Sequence, residues 1–199
     1  MGKLVVVQNV TLDGVSQAPG GADEDRRDGF PYGGWAYPYA DRVMAETMGG
    51  GMGSDGALLF GRRTYEQFYK VWSAQTDGNP YTEVLNRKRK YVASRTGTGP
   101  LPWQNSELLT GDVPGAVAAL KRDLDGDLVV LGSGDLVRSL AGAGLIDQLT
   151  LSIHPLVLGT GATLFGSGWH ASYELIEAVP TTTGVIIASY RPTAGRIGA

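Results

Sequence analysis

The feature that most constrains this chain is an abrupt change of period at residues 128–140. Leu128-Val129-Val130-Leu131 is a short apolar run rich in β-branched residues, Gly132-Ser133-Gly134 breaks it, and Leu136, Val137 and Leu140 then fall on one side of a helical repeat. The pattern predicts a buried strand, a tight turn and a helix start. Glycine lets backbone approach a ligand closely, and the first N–H groups of the helix are unpaired and carry the positive end of its dipole. Such a turn suits a phosphate or pyrophosphate. It is not a full G-x-G-x-x-G, because Val137 stands at the third position and the turn lies late in the chain. A strand–helix turn with glycines for geometry alone is the other reading.

The rest of the chain supplies companions to that strand. Leu4 to Val10 reads as a buried first strand, Ala57 to Phe60 as a second, Lys90 to Ala93 as a third and Ser106 to Leu109 as a weak fourth. Helical patterns are expected over Tyr39–Met48, stopped by Gly49-Gly50-Gly51, over Thr64–Lys70, near Val84, and after Asp112, an N-cap followed by Pro114. Gln148–Leu156 alternates Leu149, Leu151 and Ile153 with polar neighbours, and Pro155 suggests an edge or a bulge. Tyr173–Val179 and Val185–Tyr190 form a hairpin pair, and Arg196–Ala199 a frayed tail. Strands alternating with helices predict an α/β fold: a mostly parallel central sheet, helices on both faces, and antiparallel C-terminal strands. Its 199 residues suffice for one domain, 1–199.

Composition narrows the function. A net charge of −3 argues against nucleic acid or an anionic membrane as partner. The chain has no cysteine, which removes thiol nucleophiles and cysteine metal sites and is compatible with the cytoplasm. The two histidines, His154 and His170, do not make a metal site, and His154 reads as structural. Ser133 lacks the Gly-x-Ser-x-Gly surroundings of a hydrolase nucleophile. The loop from Val15 to about Pro38 is unusually long and carries Phe30, Tyr32, Trp35 and Tyr37. Trp35, Tyr37 and Trp72 either wall a flat-ring pocket or pack in the core.

Three strand ends share a chemistry: Gly61-Arg62-x-Thr64, Ser94-Arg95-Thr96 and Gly132-Ser133-Gly134. Ligands of open α/β sheets bind outside the carboxyl ends of the strands. Two arginines and helix starts gathered there suit a ligand with more than one phosphate.

Leu59-Phe60-Gly61-Arg62-Arg63-Thr64-Tyr65-Glu66 resembles the Gly-Arg-x-Thr segment of the dihydrofolate-reductase-like fold, Lys90–Arg95 its next strand and adenosine-side turn, and Leu131–Gly134 its Gly-Gly pyrophosphate turn. Thr11-Leu12-Asp13-Gly14, Gly144–Leu149, His154–Gly161 and Leu164-Phe165 resemble the riboflavin-biosynthesis reductase branch, that is, the reductase part of the bacterial bifunctional deaminase-reductase. The resemblance covers nearly the whole chain and implies a stand-alone reductase domain. It implies NADPH as hydride donor and a substrate of the aminopyrimidine or pterin type, like that of 5-amino-6-(5-phosphoribosylamino)uracil reductase, with a homodimer as the assembly. It places Gly61, Arg62, Thr64, Ser94, Arg95, Gly132, Ser133, Gly134, Asp135 and Leu136 on the cofactor. Asn9, Thr11 and Asp13 then lie on the substrate side, where Trp35 is a candidate wall. Asp41, in Pro38-Tyr39-Ala40-Asp41, resembles the acid at the substrate helix of folate reductases; its other reading is a charge that favours a helix start. Arg26 and Arg27 either reach a ribose phosphate or are a solvated pair. A non-catalytic nucleotide-binding protein and a true dihydrofolate reductase are the alternative functions.

Overall fold

The structure, a computed structural model, describes residues 1–50, 56–76, 78–97 and 99–193. Gly51 of the triple-glycine stop and the tail Arg196–Ala199 lie outside the described residues. The strands are β1 (Leu4–Thr11), β2 (Ala57–Gly61), β3 (Arg89–Ala93), β4 (Ser106–Leu109), β5 (Leu128–Val130), β6 (Gln148–His154), β7 (Tyr173–Pro180) and β8 (Ile186–Pro192). They form a sheet of order β4-β3-β2-β5-β1-β6-β8-β7. The helices are α1 (Arg42–Gly50), α2 (Arg62–Trp72), α3 (Pro80–Arg87), α4 (Val113–Asp123) and α5 (Gly134–Gly142).

The chain divides into two compact units. The first comprises Met1–Val6 and Gly49–Ile146. In it β4, β3, β2, β5 and the start of β1 run parallel, with Leu4 opposite Leu128 and Leu59 opposite Val130 and Tyr91. Every residue of β2 is buried, as continuous apolar parallel strands are when both faces of a sheet are covered. The second unit comprises Val7–Met48 and Asp147–Ala199. Here β6 and β7 both pair antiparallel with β8. The expected α/β architecture, parallel with antiparallel C-terminal strands, is the observed one.

Three local expectations change. Pro155 does not mark an edge strand: β6 ends at His154, β6 is interior in the sheet order, and β7 is the edge. A proline after the last ladder residue removes no needed N–H. The alternation of β6 also breaks at Ser152, because Leu149, Leu151, Ser152 and His154 are all buried. Finally, α1 begins at Arg42, not Tyr39, which belongs to a short 3-10 turn, Tyr37–Tyr39. Asp41 caps the helix there through Met44 N–H at 2.7 Å. The long loop after β1 has a core of its own, with Val15, Ala18, Phe30 and Trp35 buried together and Leu156 and Leu158 packed on them.

Candidate functional site

In the first unit, two strands run straight into helices. β2 ends at Gly61, which is also the N-cap of α2; β5 gives way to Gly132 and then Ser133, the N-cap of α5. Neither cap makes a side-chain hydrogen bond to its helix. Gly61 N–H donates to Gly132 O at 2.8 Å, so the two helix starts lie side by side. Space calls for glycine at the first position and backbone conformation at the second. A Cβ on Gly61 would stand 2.6 Å from Ser133 Oγ. Gly132 has φ +125°, and a Cβ there would meet Thr64 Oγ1 at 3.0 Å. The structure therefore brings Gly61, Arg62, Thr64, Gly132, Ser133 and Gly134 together, with two sets of first-turn N–H groups that no side chain caps.

The turn after β3 joins them through Arg62. Ser94 Oγ accepts from Gly97 N–H at 2.8 Å, and a Cβ on Gly97 would lie 3.6 Å from Arg62 Nη1. Arg62 Nε donates to Glu66 Oε1 at 2.6 Å, while its Nη1 is buried with no hydrogen-bond partner. A buried guanidinium N–H without an acceptor is costly unless a ligand supplies one. Arg95 is exposed on the same turn. Asp135 pairs with Arg138 on the surface of α5, and the Leu136 side chain is buried. The arrangement is suited to anionic oxygens placed between two helix starts and one arginine fork.

In the second unit the residues expected on the substrate side bond one another. Thr11 Oγ1 donates to Asp13 Oδ1 at 2.5 Å and accepts from Val15 N–H at 3.0 Å. Asp13 also accepts from Leu158 N–H and, at 2.7 Å, from Gly159 N–H. These bonds hold the Asp13 carboxyl below its ordinary 3.8, the Thr11 hydroxyl having the largest effect and the Gly159 amide the next. The two stretches that resemble the riboflavin branch, Thr11–Gly14 and Leu158–Gly161, thus clasp each other. Asp41 takes Met44 N–H on Oδ1, and Thr182 N–H and Oγ1, both at 2.7 Å, on Oδ2. The Thr182 hydroxyl, and after it the Met44 amide, lowers its pKa, so the charged carboxylate is the favoured form. Trp35 is buried, its indole N–H donating to Gln17 O at 2.7 Å. Arg26 and Arg27 pair with Asp23 and Asp25 of their own loop.

His154 is the residue whose surroundings the sequence did not show. It is fully buried, with Nε2 3.1 Å from Asn9 Oδ1 and the rings of Trp35 and Tyr39 edge-on at 5.1 and 5.4 Å. Its Nδ1 has no partner. Burial pushes its pKa down to about 4, so it is neutral at physiological pH. The signal was the His154-Pro155 pair at a strand end.

No helix among the described residues is long and apolar enough to cross a membrane. The family profile of the RibD C-terminal domain matches residues 3–187. The uncharacterised protein YyaP of Bacillus subtilis (strain 168) is 30% identical over 112 residues, 54% of this chain; the match spans 58% of that relative's length. A pyrimidine reductase-like protein from Corynebacterium diphtheriae superposes with TM-score 0.67 at 14% identity, over 98% of this chain and 93% of that one. Dihydrofolate reductase from Enterococcus faecalis, complexed with NADP(H) and RAB-propyl, gives 0.62 at 15%, over 96% and 97%. By its order of motifs, its sheet and this match along nearly its whole length, the chain belongs to the RibD C-terminal domain family and has the dihydrofolate-reductase-like fold.

Proposed function

We propose that this protein is an NADPH-dependent reductase acting on a small nitrogen heterocycle of the aminopyrimidine or pterin type. The observation that carries the reading is the pair of adjoining, uncapped helix starts at Gly61 and Ser133, beside the unpartnered Arg62 Nη1. Family membership and the NADP(H) complex of the Enterococcus relative support it. The cofactor supplies the hydride; the chain supplies position and charge. Backbone N–H groups of α2 and α5 bind the pyrophosphate, Arg62 and Ser94 hold the adenosine side, and Arg95 reaches the 2′-phosphate. Asn9, Thr11, Asp13 and Trp35 shape the substrate side of the second unit from within. Asp41, expected at the substrate, also fixes the start of α1 through the Met44 N–H. A homodimer, implied by the sequence resemblance, belongs to the same reading and is tested by light scattering at micromolar concentration, and the use of NADPH fits a cytoplasmic enzyme.

The test is NADPH oxidation against a panel of pterins, aminopyrimidines and their ribosyl derivatives, alongside direct titration of NADPH and NADH. Turnover with an aminopyrimidine or pterin supports the reading. One observation favours a second reading, a nucleotide-binding protein without catalysis: the carboxylates expected at the substrate are engaged inside the fold. Tight NADPH binding with no turnover across the panel selects that one, and absence of NADPH binding removes both.

A further inference from the structure

At the amino ends of the parallel strands, the other end from the phosphate turns, the first unit has a groove of about 360 Å³. Arg87, the last residue of α3, Arg89 at the start of β3, and Asn105, Ser106 and Glu107 at the start of the edge strand β4 line it. The groove is rigidly built. Asn105 turns the chain in the left-handed region, at φ +60°, and its side-chain N–H donates to Arg87 O at 3.1 Å. Lys90 N–H donates to Asn105 O at 2.8 Å.

Beneath these residues lies a buried cation. Lys90 is fully buried, and its Nζ donates to Asn86 O at 3.3 Å, Lys88 O at 2.9 Å and Gln104 O at 3.2 Å, over the Trp103 ring at 4.6 Å. That ammonium ties together the backbone segments that carry Arg87, Arg89 and Asn105. Its partners are dipoles and a ring face, none of them a carboxylate. Arg89 reaches the Tyr91 hydroxyl at 3.4 Å and feels the charge of Glu107. Ser106 Oγ is buried with no hydrogen-bond partner. The groove thus gathers two arginines, one carboxylate and an unanswered hydroxyl above the buried Lys90 ammonium. A dianionic group supplies the missing negative charge and the missing acceptor together.

We propose that this groove binds the phosphate of a small molecule, with Arg87 and Arg89 on the oxygens and the Ser106 hydroxyl donating to one of them. The site is separate from the turns assigned to the dinucleotide. The probe is inorganic phosphate, titrated at constant ionic strength against chloride and followed by backbone-amide NMR. The expected result is saturable shifts at Arg87–Lys90 and Asn105–Glu107. They should persist in Arg62→Ala, and bind at least tenfold more weakly in the Arg87→Gln/Arg89→Gln double variant, whose dispersed spectrum shows that it folds. Ser106→Ala should weaken them severalfold. A parallel titration with ribose 5-phosphate distinguishes the sources: tighter binding assigns the groove to a phosphate monoester, equal binding to the free anion. Shifts that track ionic strength without saturating overturn the proposal. So do saturable shifts confined to residues 61–64 and 132–136, or saturable binding that survives in the double variant.

Discussion

The strand-end turns of the first unit and the acidic residues of the second both resemble reductases of this fold in sequence, and their polar atoms are in opposite conditions. Around Gly61, Arg62 and Ser133 the helix starts have no side-chain caps and a guanidinium nitrogen has no acceptor. Around Asp13 and Asp41 each carboxylate accepts at least three hydrogen bonds from the protein itself. Atoms left unpaired at a buried or enclosed position await a partner, whereas atoms already paired hold the fold. By that criterion the first region is the one we propose for the ligand, with His154 Nδ1 the second unit's one unpartnered buried side-chain atom among the described residues.

The largest effect is expected from Gly132→Ala. It forces a side chain into a φ of +125° against Thr64, a strain of about 1–3 kcal/mol, and pushes apart the two helix starts. NADPH binding should vanish from calorimetric titration, and the thermal midpoint should drop. A folded variant that binds NADPH normally would break the comparison on its first side.

His154 gives the next effect. Its native pKa of about 4 lies below the 6.5 of the unfolded chain, so between these values the unfolded state takes up a proton that the native state refuses. Stability from this group is complete above pH 6.5 and falls by about 3 kcal/mol as pH drops to 4. Denaturant unfolding across that range should show the slope in the wild type and lose it in His154→Gln. An unchanged slope would mean that His154 is not held neutral by burial.

Arg62→Ala removes a charge-assisted hydrogen bond worth roughly 1.5–3 kcal/mol, so NADPH should bind about ten- to a hundredfold more weakly. If NADH is barely affected, Arg62 reads the 2′-phosphate; equal loss for both assigns it to the pyrophosphate. The exposed Arg95, changed to Ala, should lose less, and only for NADPH.

Smallest are Asp13→Asn and Asp41→Asn. Both carboxylates titrate below 3.8 in the native state, so their contribution is present above that pH and lost as pH falls through the lowered values. The thermal midpoints of the variants should lie below the wild type at pH 7 and converge with it in acid, while NADPH affinity stays the same. Turnover abolished by Asp41→Asn, at unchanged stability, would instead return Asp41 to the chemistry.

The order of elements and the place of the strand–helix turns were readable because they rest on local signals: glycines at changes of period, Pro114 after Asp112, apolar runs of strand length. α2 begins two residues before the expected Thr64, because a glycine N-cap leaves no polar signature. The second unit was less readable because its ties are long-range. Asp13 finds Gly159 and Asn9 finds His154 across about 145 residues of chain, and no periodicity records such pairings. Trp35 resembled a pocket wall for the same reason: an aromatic in a long loop does not reveal that the loop folds on its own core.

The position of β1 has a consequence for the chain as it is made. This strand is made before its partners, and they come late: Leu4 pairs with Leu128, and beyond the strand Leu12 N–H donates to Leu156 O. At about 5–20 residues per second, an interval of 124 residues leaves Leu4-Val5-Val6-Val7 without its strand partner for roughly 6–25 s. During translation this apolar strand is thus open to other nascent chains on the same message before its partner has been made.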